Sequence, residues 1–112
     1  MSKRLFVLAG VMVLGLLCPG PVRAEDASYE LVIKDHRFSP AVLTLPAGKK
    51  VKVIVRNQDA SPEEFESYAL NREKVVAGGS AITLFLGPLK PGAYKFFGDF
   101  HPGTAQGSVE VK

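Results

Sequence analysis

Apolar and polar residues alternate over short runs in this chain, and nearly every run ends at a glycine, a proline or an Asn/Asp turn. Tyr29, Leu31 and Ile33 alternate with Glu30 and Lys34, and Val51, Val53 and Val55 alternate with Lys52 and Arg56. Ile82, Leu84 and Leu86 form a third set, Tyr94 and Phe96 a fourth, and Val109 and Val111 close the chain. Residues two apart share one face of a strand, so each run describes a half-buried β-strand. Ser39-Pro40, Pro46-Ala47-Gly48, Asn57-Gln58-Asp59, Gly78-Gly79, Gly87-Pro88 and Pro91-Gly92 supply the turns between them. No window offers a helical face longer than about three turns, although Pro62 to Leu70 fits either period. Short strands at this spacing predict an all-β sandwich or barrel in one domain, with no internal repeat and no linker.

The first residues read as an address. Lys3 and Arg4 form a basic start, Leu5 to Leu17 an uncharged apolar stretch, and Val22-Arg23-Ala24 a small-residue cleavage site. This pattern predicts a secretory signal peptide over 1–24 and a mature domain over 25–112. The apolar stretch is shorter than the roughly 20 residues that span a bilayer, so no membrane span is expected after cleavage. Cys18 lies in this segment behind the bulky Leu17, which argues against lipidation. The predicted mature part has no cysteine, which excludes a disulfide, a copper thiolate and any Cys-based zinc or iron–sulfur site. Lys3, Arg4 and Arg23 leave with the leader, so 14 basic residues become 11 against 11 acidic ones. That balance removes the main support for nucleic-acid binding.

Five landmarks then fall in order along the chain: Phe38-Ser39-Pro40, Leu45 to Val51, Val55-Arg56-Asn57, Gly87 to Tyr94, and Gly107 to Val111. Over residues 28 to 112 they resemble the cupredoxins, which implies a Greek-key β-sandwich. Glu64-Phe65-Glu66-Ser67, Arg72-Glu73-Lys74 and Phe96 to His101 are similar, more narrowly, to EfeO-type cupredoxin-like domains, including periplasmic proteins that accompany bacterial iron permeases. The blue-copper ligand set of that family is two histidines, a cysteine and an axial methionine. On the resemblance, these positions fall on Glu63, His101, Gly98 and a place near Ala105. One ligand of the set remains, which excludes a blue-copper electron carrier.

The family's arrangement would gather a harder donor set at one pole: Glu63, Glu64 and Glu66 at a strand start, Asp99 and His101 in the following loop, and Asp35 and His36 in the first connection. Carboxylate and imidazole donors suit copper(II), iron, manganese or zinc. Copper(II), iron or both are the expected cofactors, with His101, Glu63, Glu64, Glu66, Asp99 and His36 as candidate ligands. Strand parity pairs Glu63 with Phe65, so Glu63 is expected to lean inward, while Glu64 and Glu66 also fit an ordinary solvated face. His101 also fits a strand end, His36 a surface position, and Asp99 a turn beside Gly98.

The resemblance implies a periplasmic metal-binding accessory to ferrous iron uptake, its partner a membrane iron permease or another uptake component. A non-redox copper or iron carrier and a metal-free interaction module are the alternatives, and a homodimer remains open. A ferroxidase-like activity is left open; hydrolase motifs such as G-x-S-x-G and H-E-x-x-H are missing.

Overall fold

The computed structural model describes residues 28–112, so the leader reading and Cys18 lie outside the described residues. Among the described residues there are nine strands and no helix. They are β1 (Ser28–Lys34), β2 (Arg37–Ser39), β3 (Val42–Leu45), β4 (Val51–Asn57), β5 (Glu63–Ser67), β6 (Arg72–Val76), β7 (Ala81–Leu86), β8 (Gly92–Gly98) and β9 (Gln106–Val111). The all-β expectation holds throughout. Pro62 to Leu70, ambiguous in sequence, resolves into β5 followed by a turn, because Glu63, Phe65 and Ser67 are buried in period two. The short strands β2, β3 and β6 were not legible as alternations; β6 is an edge strand, exposed along most of its length.

Two sheets pack face to face. One has the order β2-β1-β4-β7 and the other β3-β9-β8-β5-β6. β1 pairs with β4 in parallel and β3 with β9 in parallel, and the remaining pairings are antiparallel. Leu31, Ile33, Val51, Val53, Val55, Leu84 and Leu86 line the inner face of the first sheet. Leu43, Leu45, Phe65, Phe96, Val109 and Val111 line that of the second.

An aromatic cluster closes the core at one end. Phe38 meets Phe96 edge-on at 4.9 Å and Phe65 at 6.0 Å, and Phe65 and Phe96 lie 5.2 Å apart in a more parallel arrangement. Phe38 is two residues from His36, Phe65 two from Glu63, and Phe96 two from Gly98. Each ring therefore anchors, on its own strand or strand end, one of the positions that form the pole above it. Replacing Phe65 by Ala opens a cavity in this cluster and is expected to cost about 3–5 kcal/mol of stability in urea unfolding. A loss under about 1 kcal/mol would contradict the anchoring role.

Candidate metal centre

Glu63 begins β5 and points into the sandwich, 1% exposed. A buried carboxylate is costly unless its oxygens are satisfied, and here both are. Oε2 accepts the backbone N–H of Glu64 at 3.0 Å and of Phe100 at 2.8 Å, while Oε1 lies 2.7 Å from His101 Nδ1. A carboxylate only accepts, so Nδ1 carries the proton and, in the neutral ring, Nε2 is left as the free lone pair.

The loop carrying His101 is folded tightly back on the sheet. The His101 N–H donates to the Gly98 carbonyl at 3.1 Å, and the His101 carbonyl accepts from Ala105 at 2.8 Å. Asp99 N–H reaches across to the Glu64 carbonyl at 2.9 Å. The imidazole is thus fixed both through its backbone and through Nδ1.

His36 comes to the same pole from the β1–β2 turn. Its ring stacks on that of His101 with centroids 3.6 Å apart and planes 8° from parallel. Asp35 and His36 both have positive φ, and the tight turn is held from below by Asp59. The Asp59 carboxylate accepts Asp35 N–H at 2.8 Å and His36 N–H at 3.0 Å. The His36 N–H contributes most to holding the Asp59 carboxyl below its usual range; partial burial opposes this, and the Asp35 N–H and both imidazoles reinforce it. Buried Asn57 organises the loop that delivers Asp59, accepting the Asp59 N–H at 3.0 Å and donating to the carbonyls of Ser61 and Val76. Thr104 completes the support with a hydroxyl bond of 2.6 Å to the His36 carbonyl.

The six candidate ligands therefore do not form one cluster. Glu63, His101 and His36 meet at the pole, whereas Glu64, Glu66 and Asp99 offer carboxylate oxygens within 4.8 Å of one another as a separate set. Strand parity separates them: Glu63 is on the inner face of β5, and Glu64 and Glu66 are on the outer. The expected inward lean of Glu63 holds. In this geometry it acts on His101: Oε2 accepts two backbone N–H groups and Oε1 holds His101 Nδ1. His36 and His101 do not converge on one point: their stacked rings keep the lone pairs in separate, nearly parallel planes, and one metal about 2.0 Å from a nitrogen cannot lie in both.

Two features escaped the sequence reading. Asp59 was visible only as part of a turn. Glu73 joins the outer carboxylates because the β5–β6 register sets Glu66 opposite Glu73. Its hydrogen bond raises the Glu64 carboxyl to about 7, with burial and the charges of Glu73, Glu66 and Asp99 adding to the effect. Glu66 is also raised, chiefly by burial and then by Glu73 and Asp99.

The residues do not fit a blue-copper centre. A Cβ placed on Gly98 would lie 2.6 Å from the Glu63 carboxyl carbon and 2.7 Å from Ala105 Cβ, so Glu63 fills the space a side chain at 98 would need. The methionines, Met1 and Met12, both lie in the predicted leader, and Ala105 is buried with no donor to offer. Gly98→Cys in the otherwise intact protein is expected to be destabilised and to give no intense blue thiolate band with copper(II). Such a band would contradict the steric account.

The outer carboxylates generate a pH dependence. Folded Glu64 keeps its proton up to about 7 against an ordinary value of 4.5, so the folded state binds the extra proton between those pH values. Its stabilising contribution is full below the lower value and is lost as pH rises through the upper one. Glu73→Gln should lower the Glu64 midpoint in a carboxyl NMR titration and flatten the fall in stability over that window. An unchanged midpoint would remove Glu73 as the cause.

Residues 6–111 match the family described as the cupredoxin-like domain. "Uncharacterized protein RP394" of Rickettsia prowazekii (strain Madrid E) is 40% identical over 117 residues, covering 98% of this chain and 94% of that protein. Auracyanin A, a "blue" copper protein of Chloroflexus aurantiacus, superposes with a TM-score of 0.67 at 16% identity, covering 78% of this chain and 99% of its own. The metal-binding domain of the Cu(I)-exporting P-type ATPase CopA of Streptococcus pneumoniae D39 superposes with a TM-score of 0.70 at 13% identity, covering 82% and 91%. At these identities the structural likenesses speak to the fold alone. With a family match running over nearly its whole length, the chain belongs to the cupredoxin-like domain family.

Proposed function

We propose that this protein is a periplasmic, thiolate-free metal-binding cupredoxin that captures copper(II) at His101 and serves ferrous iron uptake. The observation that carries the binding part is the Glu63–His101 pair. Metal-ligating histidines characteristically give their second ring nitrogen to a carboxylate, which fixes the tautomer and raises the basicity of the ligating nitrogen. Glu63 does this from a fully buried position, leaving His101 Nε2 as the nitrogen free to bind. The copper-binding relatives in the same fold support copper at the level of the family.

His101 Nε2 is the primary ligand in this reading. His36, stacked against it, shields one face of the imidazole, and becomes a second ligand only by turning out of the stack. Bound copper(II) or iron(III) supplies a one-electron couple there. With few protein donors, the site suits capture and hand-over better than permanent retention. The uptake role and the iron permease partner rest on the Phe96 to His101 and Glu64 to Ser67 similarities, and the periplasmic location on the leader pattern.

Copper(II) titration followed by electron paramagnetic resonance tests the binding part. A pale nitrogen/oxygen-ligated centre is expected at a one-to-one ratio. His101→Ala should nearly abolish it, Glu63→Gln should weaken it by about 10- to 100-fold, and His36→Ala should matter less. Affinity should fall with pH as protons compete for imidazole. Unchanged binding by His101→Ala would refute the assignment, and no saturable binding of any metal would favour a metal-free interaction module. Oxygen consumption on adding ferrous iron to the copper-loaded protein separates a redox role from simple carriage.

A further inference from the structure

The outer face of the five-stranded sheet carries a ridge between two grooves, bordered by carboxylates. Phe97 of β8 forms its apolar part, and Lys95 continues it away from the carboxylates. On one side lies a groove of about 510 Å³ lined also by Tyr68, Ala69 and Ala93. On the other side is a groove of about 530 Å³ to which Ala41, Val42 and Pro102 contribute. Tyr68 is 79% exposed and touches Phe97 edge-on at 5.6 Å, and Val42, in the second groove, is 51% exposed. Large apolar side chains grouped on one sheet face mark an interaction surface more often than isolated ones do.

Charge identifies the occupant. Glu64, Glu66, Glu73 and Asp99 lie together beside the ridge, and among the described residues no Lys or Arg forms an ion pair with them. Arg72, adjacent to Glu73 in sequence, instead gives its guanidinium to the carbonyls of Leu70, Asn71 and Phe85. Glu66 and Glu73 face each other directly across the β5–β6 pair, an arrangement of like charges that destabilises a sheet. A cationic partner would relieve that repulsion.

We propose that this face docks a protein partner whose surface sets lysine or arginine side chains around an apolar protrusion. The protrusion seats in the grooves beside Phe97 and Tyr68, and the cations reach Glu64, Glu66 and Glu73. The opposite sheet of this same protein carries Lys52 and Arg56 with Phe85, so a second copy has some of the required chemistry. A face-to-back contact of that kind is heterologous and builds rings or open filaments, so a one-to-one complex requires a different partner. Asp99 lies two residues from His101, which places the docked partner beside the pole.

The test uses metal-free protein and leaves Glu63, His36 and His101 intact, so its outcome does not depend on the metal reading. The probe is a short synthetic peptide of alternating lysine and leucine, with its ε-acetylated counterpart as control, followed by backbone NMR. Shifts are expected on β5, β6 and β8, with affinity falling as salt rises. Glu64→Gln/Glu66→Gln/Glu73→Gln and, separately, Tyr68→Ser should each weaken binding about fivefold or more. No binding, equal binding of the acetylated peptide, shifts on the Lys52/Arg56 face, or unchanged affinity in either variant would overturn the proposal. Concentration-dependent self-association lost in the triple variant would assign the face to a second copy instead. Stoichiometric manganese(II) binding that blocks the peptide would make it a cation site.

Discussion

The arrangement of the pole depends on one buried carboxylate. Glu63 ties the start of β5 to the loop after β8 through the Phe100 N–H, and to His101 through Nδ1. Were it removed, the Glu64 and Phe100 N–H groups and His101 Nδ1–H would lose their common acceptor, and each one left without water in its place would cost on the order of 1–3 kcal/mol. Its presence also dictates Gly98, because any side chain there would collide with the Glu63 carboxyl group. Carboxylate and glycine thus form one steric and electrostatic unit at the pole.

That unit is held by the aromatic cluster beneath it. Phe38, Phe65 and Phe96 each sit two residues from a pole position, so packing three rings against one another sets the spacing of His36, Glu63 and Gly98. The Asn57–Asp59 relay then fixes the β1–β2 turn, and with it the imidazole stack. The core and the site are therefore linked through single residue steps along three strands.

Much of the fold was legible because period-two alternation reports which face of a strand is buried. The sets at Leu31/Ile33, Val51/Val53/Val55 and Leu84/Leu86 are all core, and the inward turn of Glu63 follows from the same parity with Phe65. Separating the candidate ligands into two groups also follows from parity, once β5 is known to be a strand up to its first residue. What could not be read were contacts set by register and loop closure. Glu73 meets Glu64 and Glu66 only through the β5–β6 pairing, and Asp59 meets His36 across 23 residues. The stacking of His36 on His101 joins turns from two different sheets, and no local pattern encodes it.

The claim on which the account rests is that Glu63 sets the tautomer of His101 before any metal arrives. Side-chain nitrogen NMR of the metal-free protein, at a pH where the imidazole is neutral, measures this directly. A His101 ring protonated at Nδ1 and bare at Nε2 is expected, with the preference lost in Glu63→Ala. A ring protonated at Nε2, or an even mixture of tautomers in the wild type, would contradict it.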